Sequence, residues 1–303
     1  MMTKGITNQA ANAIRQSQLF TKTRKEAPAD EVSKNAELLI RGGFIHKEMA
    51  GVYSYLPLGF LVLKKIENII REEMNKVGGQ EVLLSSFQPK ENWEKTGRWE
   101  SMDDLYKVKD SSGREVALGP THEEIIVPIL KNYISSYKDL TNRQTLAVYQ
   151  IQNKFRMELR AKSGILRGRE FVMKDMYSFH ATAEDFEAFY NKMQGVYKTI
   201  FNRVGIGHLT YMAFASGGTF AKYSHEFQTI SSVGEDTIYV DEETGIALNK
   251  EVFNDEVLSQ LNLTKEKLVE RKSVEVGNIF DLKTKYSAPF DLSFTDEKEE
   301  KRT

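Results

Sequence analysis

The chain has 303 residues, 40% of them hydrophobic and 28% charged, enough to bury one large core or a core with an appendage. Its 42 basic residues balance 43 acidic ones, so bulk attraction to nucleic acid is excluded as an argument and only local basic segments can carry it. The absence of cysteine excludes disulfides, a thiol nucleophile and a cysteine-ligated metal, and it fits a cytoplasmic protein best.

The opening stretch, MMTKGITNQAANAIRQSQLF, lacks the apolar core of a secretory signal, and no window approaches the ~20 apolar residues of a membrane span. Basic residues without any acid over positions 1–25 leave a mitochondrial presequence as a minor alternative. Residues 1–16 read as a flexible extension. Residues 28–43 then predict a short helix, with Asp30 in its first turn and Gly42 and Gly43 ending it. GVYSYL reads as a strand, and residues 57–77 as a long helix that starts on Pro57 and stops at Gly78. Its Val62, Leu63, Ile66, Ile69, Ile70, Met74 and Val77 recur at helical spacing, an apolar stripe that serves either a core or a second subunit.

EVLLSSF follows as a strand, then a polar tryptophan-bearing stretch over 90–98, then a hairpin in which LYKVK and EVALG flank Asp110 to Gly113. THEEIIVPILKNYISS predicts a helix capped by Thr121, with acids at its positive end. Residues 145–180 predict two strands around a basic, glycine-containing loop. Residues i and i+2 of a strand share a face, which would point Arg156 with Glu158 and Arg169 with Phe171. An arginine fork suits phosphate or carboxylate, and an aromatic face suits a purine; a cationic, solvated hairpin accounts for the same residues equally well. A strong amphipathic helix over 183–204 precedes the strands LTYMAFAS, SHEFQTIS and EDTIYVD. Residues 241–272 are more polar and helix-prone, and strand-like SVEVGNIF and TKYS follow. Antiparallel strand runs with helices between them point to an α+β fold.

Several signatures are missing. There is neither a P-loop GxxxxGKS/T nor a GxGxxG between a strand and a helix. His122, Glu123 and Glu124 begin like HExxH, but Ile126 stands where the second histidine would be, which excludes a zincin. Gly217 and Gly218 read as a turn.

Taken in order, SQLF, AGVYSYLPLGFLVLKKIENIIREEMN, ALGPTHEE, YQIQNKFRMELR, LRGREFVMKDMYSF, SHEF with GEDTI, and SVEVGNIFDLKTKYS give the chain a resemblance to the bacterial-type prolyl-tRNA synthetases, class II aminoacyl-tRNA synthetases. The resemblance covers position 17 to about 281. It implies a class II synthetase-like antiparallel β-sheet flanked by helices, one catalytic domain over 17–303, and an ATP-dependent ligase that joins proline to tRNA(Pro) through prolyl-adenylate. It also implies that the 57–77 helix helps to form a homodimer. Arg156 would bridge the α-phosphate and the amino acid carboxylate, Glu158 would accept from the adenine amino group, Arg167 would meet the distal phosphates, and adenine would stack on Phe171. Thr121, Glu123 and His225 would line the proline pocket, with Glu123 holding the secondary ammonium. Mg2+ would accompany ATP, with no metal-ligating residue assigned: Glu235 and Asp236 read as a turn. Read without the resemblance, Thr121 is a cap and His225 a structural residue.

Such chemistry needs no general base, because the attacking carboxylate is already ionised; it needs alignment and charge neutralisation, tasks for arginine and a divalent ion. Two departures from the family stand out. Only about thirty residues, 241–272, occupy the place of its editing domain, so proofreading of alanine is expected from another protein. Apolar contacts alone discriminate by only about 1–3 kcal/mol per methylene. The family's third motif and anticodon-binding domain have no counterpart up to Thr303, so the expectation is an amino-terminal fragment with weak substrate binding and poor activation. The alternatives are a non-catalytic synthetase-like protein that binds tRNA, an amino acid or a partner, and an enzyme that charges something other than tRNA.

Overall fold

A computed structural model of the chain describes residues 15–141, 145–159, 161, 163–217 and 223–303. Most of the expected 1–16 extension and Gly218 lie outside the described residues. The chain divides into two units: the described residues of Met1–Lys65 with Glu158–Glu170, and Ile66–Met157 with Phe171–Thr303.

In the first unit the helix α1 is shorter than the sequence suggests, Lys34–Arg41, and it stops as expected at Gly42 and Gly43. Asp30 precedes it and pairs with Lys47 at 2.8 Å rather than occupying its first turn. Ala36 and Ile40 of α1 pack with Ile45 of strand β1 (Ile45–Met49), which forms an antiparallel hairpin with β2 (Val52–Tyr55). At the hairpin tip Gly51 has φ +76°, and its carbonyl accepts from the Arg169 backbone amide at 2.7 Å. A Cβ there would sit 2.6 Å from that of Ala161, so the approach of the 158–170 loop requires glycine.

The long helix α2, Pro57–Lys76, starts on the predicted proline. Its apolar stripe is used unevenly. Ile69, Ile70 and Met74, together with Val77 just past its end, pack against Ala147, Tyr149, Phe189 and Met193, whereas Phe60, Leu61, Val62 and Ile66 remain 39–49% exposed.

The second unit is built on β3 (Gln80–Glu81), β7 (Leu146–Phe155) and β8 (Glu170–Phe179), hydrogen-bonded in the order β3-β7-β8. EVLLSSF is not one strand: β3 ends at Glu81 and β4 (Phe87–Pro89) begins a separate sheet with β5 (Tyr106–Lys109) and β6 (Glu115–Leu118). The predicted β5–β6 hairpin forms, its turn tied by Asp110 accepting from the Ser112 and Arg114 amides. The tryptophan stretch folds into two short helices, α3 (Lys90–Lys95) and α4 (Arg98–Ser101), that bury Trp93 and Trp99. Next come α5 (Glu123–Leu130) and α6 (Tyr137–Thr141).

The period-2 alternation of β7 sends Ala147, Tyr149 and Ile151 to the face covered by α2 and α7 (Ala183–Arg203), and Val148 and Gln150 to the opposite face. Each bulky side chain buried there contributes about 1.5–3 kcal/mol. Helix α7 is capped by Thr182, whose hydroxyl accepts from the Asp185 amide.

The remaining strands β9 (Thr210–Ser216), β10 (Tyr223–Ile230), β11 (Asp236–Asp241), β12 (Ala247–Asn249) and β13 (Leu268–Phe280) close a barrel in the order β10-β13-β11-β12-β9. Strand β13 is 13 residues long and pairs with both β10 and β11. The helix-prone 241–272 segment yields β12, the short helix α8 (Asp255–Gln260) and the start of β13. TKYS is a turn rather than a strand.

Candidate active site

The site-bearing face of the central sheet belongs to the second unit. Strand β7 ends at Phe155 and β8 begins at Glu170, so Arg156 and Glu158 lie beyond one strand and Arg169 before the other. The shared-face argument for these pairs therefore does not apply. Phe171, Asp175 and Tyr177, at even spacing within β8, are the residues that share a face. The Arg156 guanidinium stands 5.4 Å above the Phe171 ring. Its buried Nε has no hydrogen-bond partner among the described residues, a cation held ready for an anion.

Across the same cleft, of about 1740 Å³, lie Thr121 and Glu123. Helix α5 starts at Glu123 behind His122, and His122 makes no side-chain cap. Thr121 is thus not a cap. Its hydroxyl donates to Glu123 Oε2 at 2.6 Å, and both side chains are buried. The preceding Gly119 explains how the loop is held: a Cβ there would meet Gln88 Nε2 at 2.3 Å, the atom that donates to the Thr121 carbonyl at 2.8 Å. Gln88 Oε1 in turn accepts from Trp93 Nε1.

A layer of buried polar groups underlies these residues. Lys154 Nζ lies 2.7 Å from Asp175 Oδ1, and Asp175 Oδ2 accepts from Gln150 at 3.0 Å and from the Tyr177 hydroxyl at 2.8 Å. The Tyr177 oxygen accepts from the His122 backbone amide at 3.0 Å, which ties the layer to the α5 start. Burial dominates the electrostatics. It lowers Lys154 from the usual lysine range, against the pull of Asp175, and with the nearby Lys154 charge it drops His122 to about 4, leaving the imidazole neutral. Burial first, and the neighbouring Glu124 second, raise Glu123 against the opposing Arg98.

Further along the cleft, Glu275 is pushed up to about 7 by burial and by Glu226, with Arg156 opposing. Glu226 accepts from Gln228 and Asn249, and Asp236 opens β11 while accepting from Gln228 at 3.1 Å. Among the described residues no trio of acidic or histidine side chains is grouped to hold a metal ion. His225 sits elsewhere. It shares a 2.8 Å hydrogen bond with the Tyr190 hydroxyl, packs edge-on to Phe214, and lines a second cavity of about 500 Å³ rather than the cleft of Thr121, Glu123 and Arg156. Burial lowers its pKa. Glu158 and Arg167 belong to the first unit, where the Glu158 carbonyl accepts from Arg169 Nε at 2.9 Å and Arg167 follows a short 3-10 turn in an exposed position.

Four site residues escaped the sequence reading: Gln88, Arg98, Lys154 and Asp175. The usable signal was the run QIQNK, which places Gln150, Gln152 and Lys154 at strand period, although such a polar stripe normally reads as a solvated face.

This sheet with its flanking helices has the fold of a class II aminoacyl-tRNA synthetase core, and the comparison with known families agrees. The family described as tRNA synthetase class II core domain (G, H, P, S and T) matches residues 106–303, and the chain belongs to it. The particular relatives are proline–tRNA ligases. The chain is 45% identical over 262 residues to that of Geobacillus thermodenitrificans, covering 86% of this chain and 45% of the relative. It is 46% identical over 248 residues to that of Bacillus subtilis, covering 82% and 43%. Among solved structures the fold is similar to Giardia lamblia prolyl-tRNA synthetase in complex with prolyl-adenylate, with a TM-score of 0.67 at 20% identity over 86% of this chain and 46% of that one. It is also similar to the Cryptosporidium parvum enzyme complexed with L-proline and AMP, with a TM-score of 0.63 at 17% identity over 87% and 46%. The chain spans less than half the length of these relatives.

Proposed function

We propose that the chain provides the proline-activating centre of a proline–tRNA ligase. One observation carries the reading: a single cleft holds a guanidinium whose Nε has no hydrogen-bond partner among the described residues and a buried, threonine-locked carboxylate. Those two receptors match the two charges of a zwitterionic amino acid, carboxylate to Arg156 and ammonium to Glu123. The apolar rest of a proline ring needs no further polar partner, and the relatives named above are ligases for that amino acid.

In the reaction a proline carboxylate oxygen attacks the α-phosphorus of ATP, the bond to the bridging oxygen breaks, and pyrophosphate leaves. The prolyl group then passes to a ribose hydroxyl of tRNA(Pro). Arg156 serves the first step by fixing the carboxylate and offsetting negative charge on the α-phosphate, while Phe171 below it offers a face to adenine. Glu158 and Arg167 are assigned the adenine amino group and the distal phosphates. His225 is kept as a proline-pocket residue on resemblance; it lines the second cavity and shares a hydrogen bond with Tyr190, whose side chain borders the cleft of Thr121, Glu123 and Arg156. Mg2+ would come with ATP and would supply charge neutralisation on the phosphates; of the residues present, Glu275 on the cleft wall would be the carboxylate to share it with them. A homodimer through α2 and a cytoplasmic location complete the reading. No described helix is long and apolar enough to cross a membrane.

Calorimetry with L-proline and ATP, alongside proline-dependent ATP–pyrophosphate exchange, tests this. Both ligands should bind, and Arg156→Lys, which keeps the charge but loses the planar fork, should cut exchange by about 100-fold. Preference for another amino acid would overturn the assignment. Strong tRNA binding without ATP binding would favour a non-catalytic synthetase-like protein instead.

A further inference from the structure

Two adjacent carboxylates, Glu123 and Glu124, are buried at the start of α5, 6% and 0% exposed. Only Glu123 lines the cleft. Beneath them Arg98, from α4 and itself 5% exposed, places Nη1 2.9 and 3.1 Å from the two oxygens of Glu124 and 3.5 Å from Glu123 Oε2. Its guanidinium is held over the rings of Trp93 at 5.0 Å and Tyr286 at 5.5 Å. Thr96 adds a hydrogen bond to Glu124 at 2.9 Å, so Glu124 is satisfied from below.

Apart from Arg156 across the cleft, which is assigned to the ligand's carboxylate, the other charged or titratable groups around the pair contribute no net charge. Lys154 and Asp175 offset each other at 2.7 Å. His122 is neutral, and the Tyr177 and Tyr286 hydroxyls are pushed well above their ordinary value by burial, so both stay protonated. What remains is one cation against two carboxylates.

We propose that Arg98 is a positioning residue for the ammonium acceptor: it cancels the charge of Glu124 and leaves Glu123 as one negative charge presented to the cleft. A ligand must then bring one positive charge to complete the balance, which selects an amino acid over an isostere that lacks the ammonium. The inference rests on the reading of Glu123 as the acceptor for proline's amino group.

The test compares the wild-type chain with Arg98→Met, Arg98→Lys, Glu124→Gln and Arg98→Met/Glu124→Gln. Two measurements are made: infrared titration of the buried carboxyls without ligand, and binding of L-proline against cyclopentanecarboxylate, which lacks the ammonium. Arg98→Met should raise the carboxyl midpoint by about 1–3 pH units, and Arg98→Lys should restore it. Glu124→Gln is nearly isosteric and outside the cleft, yet it should weaken proline binding about tenfold, because Arg98 then neutralises Glu123. The double variant removes one charge of each sign and should recover preference for proline. That variant is further from the native packing than either single change, so recovery cannot come from a structural role. An unmoved midpoint in Arg98→Met, or unaltered proline binding in Glu124→Gln, would overturn the proposal, and the second holds even if Arg98→Met fails to fold. A midpoint moved in Arg98→Met, together with a wild-type chain that binds no proline, would support the charge balance and sink the proline reading.

Discussion

Glu123 is under two opposed demands, since a carboxylate suited to an ammonium must be buried and yet charged. Burial and Glu124 raise its pKa, so its contribution to folding is fully present below the unfolded value near 4.5 and is lost as pH rises through the folded value. Replacing it with glutamine should accordingly raise the melting temperature of the ligand-free chain by a few degrees at pH 7.5 and leave it unchanged near pH 4. The same change should weaken proline binding by about 100-fold or more, because a charged hydrogen bond is lost. Thermal melts at the two pH values, with calorimetry, check both. At this scale the sequence was ambiguous for a physical reason. Thr121 before an acidic turn has the chemistry of a cap, and only the start of α5 at Glu123 shows its hydroxyl spent on the acceptor instead. Arg98 gave no signal at all, because its partners Glu123 and Glu124 are 25 and 26 residues away and its own surroundings read as a polar surface.

Helices were the most legible elements, and strand ends the least. α2 and α7 follow their predicted bounds within a residue, because periodicity, a starting proline and a capping threonine agree. β7 stops short of Arg156 since the loop after it is positioned by contacts the sequence cannot show, such as the Met157 amide donating to the Asp104 carbonyl at 2.7 Å. The stripe of α2 was read as a core or a subunit face; Met74 is fully buried in the core, while Val62 and Ile66 of the stripe, with the neighbouring Phe60 and Leu61, are exposed. Covering that row with a second copy would remove an apolar patch from water. Sedimentation velocity should therefore show a dimer at micromolar concentration, and Leu61→Glu with Ile66→Lys should shift it to monomer with the far-ultraviolet circular dichroism unchanged.

At the scale of the whole molecule the α+β class was legible from the order of periodic segments and the helix-flanked sheet from the resemblance, whereas closure of β9 to β13 into a barrel was not. The parallel contact of β12 with β9 joins residues 247–248 to 213–214, a long-range pairing that leaves no local mark. The segment after β11 is committed to packing, with Leu248, Val252 and Leu258 gathered around Phe214 and Tyr239. At about thirty residues it is far below the size of a separate hydrolytic domain. Alanyl-tRNA(Pro) incubated with the chain should thus decay no faster than in buffer, as a radiolabelled deacylation assay would record.

Asp241 and Leu268 are paired across β11 and β13. The segment between them starts and ends at one rung of that ladder, a fixed hairpin stem, while its tip sends β12 back into the barrel beside β11 and β9. Because the two ends already touch, lengthening the tip adds little closure entropy, growing only with the logarithm of its length. A stem of this kind tolerates a longer or a shorter tip while the strands that form it keep their register.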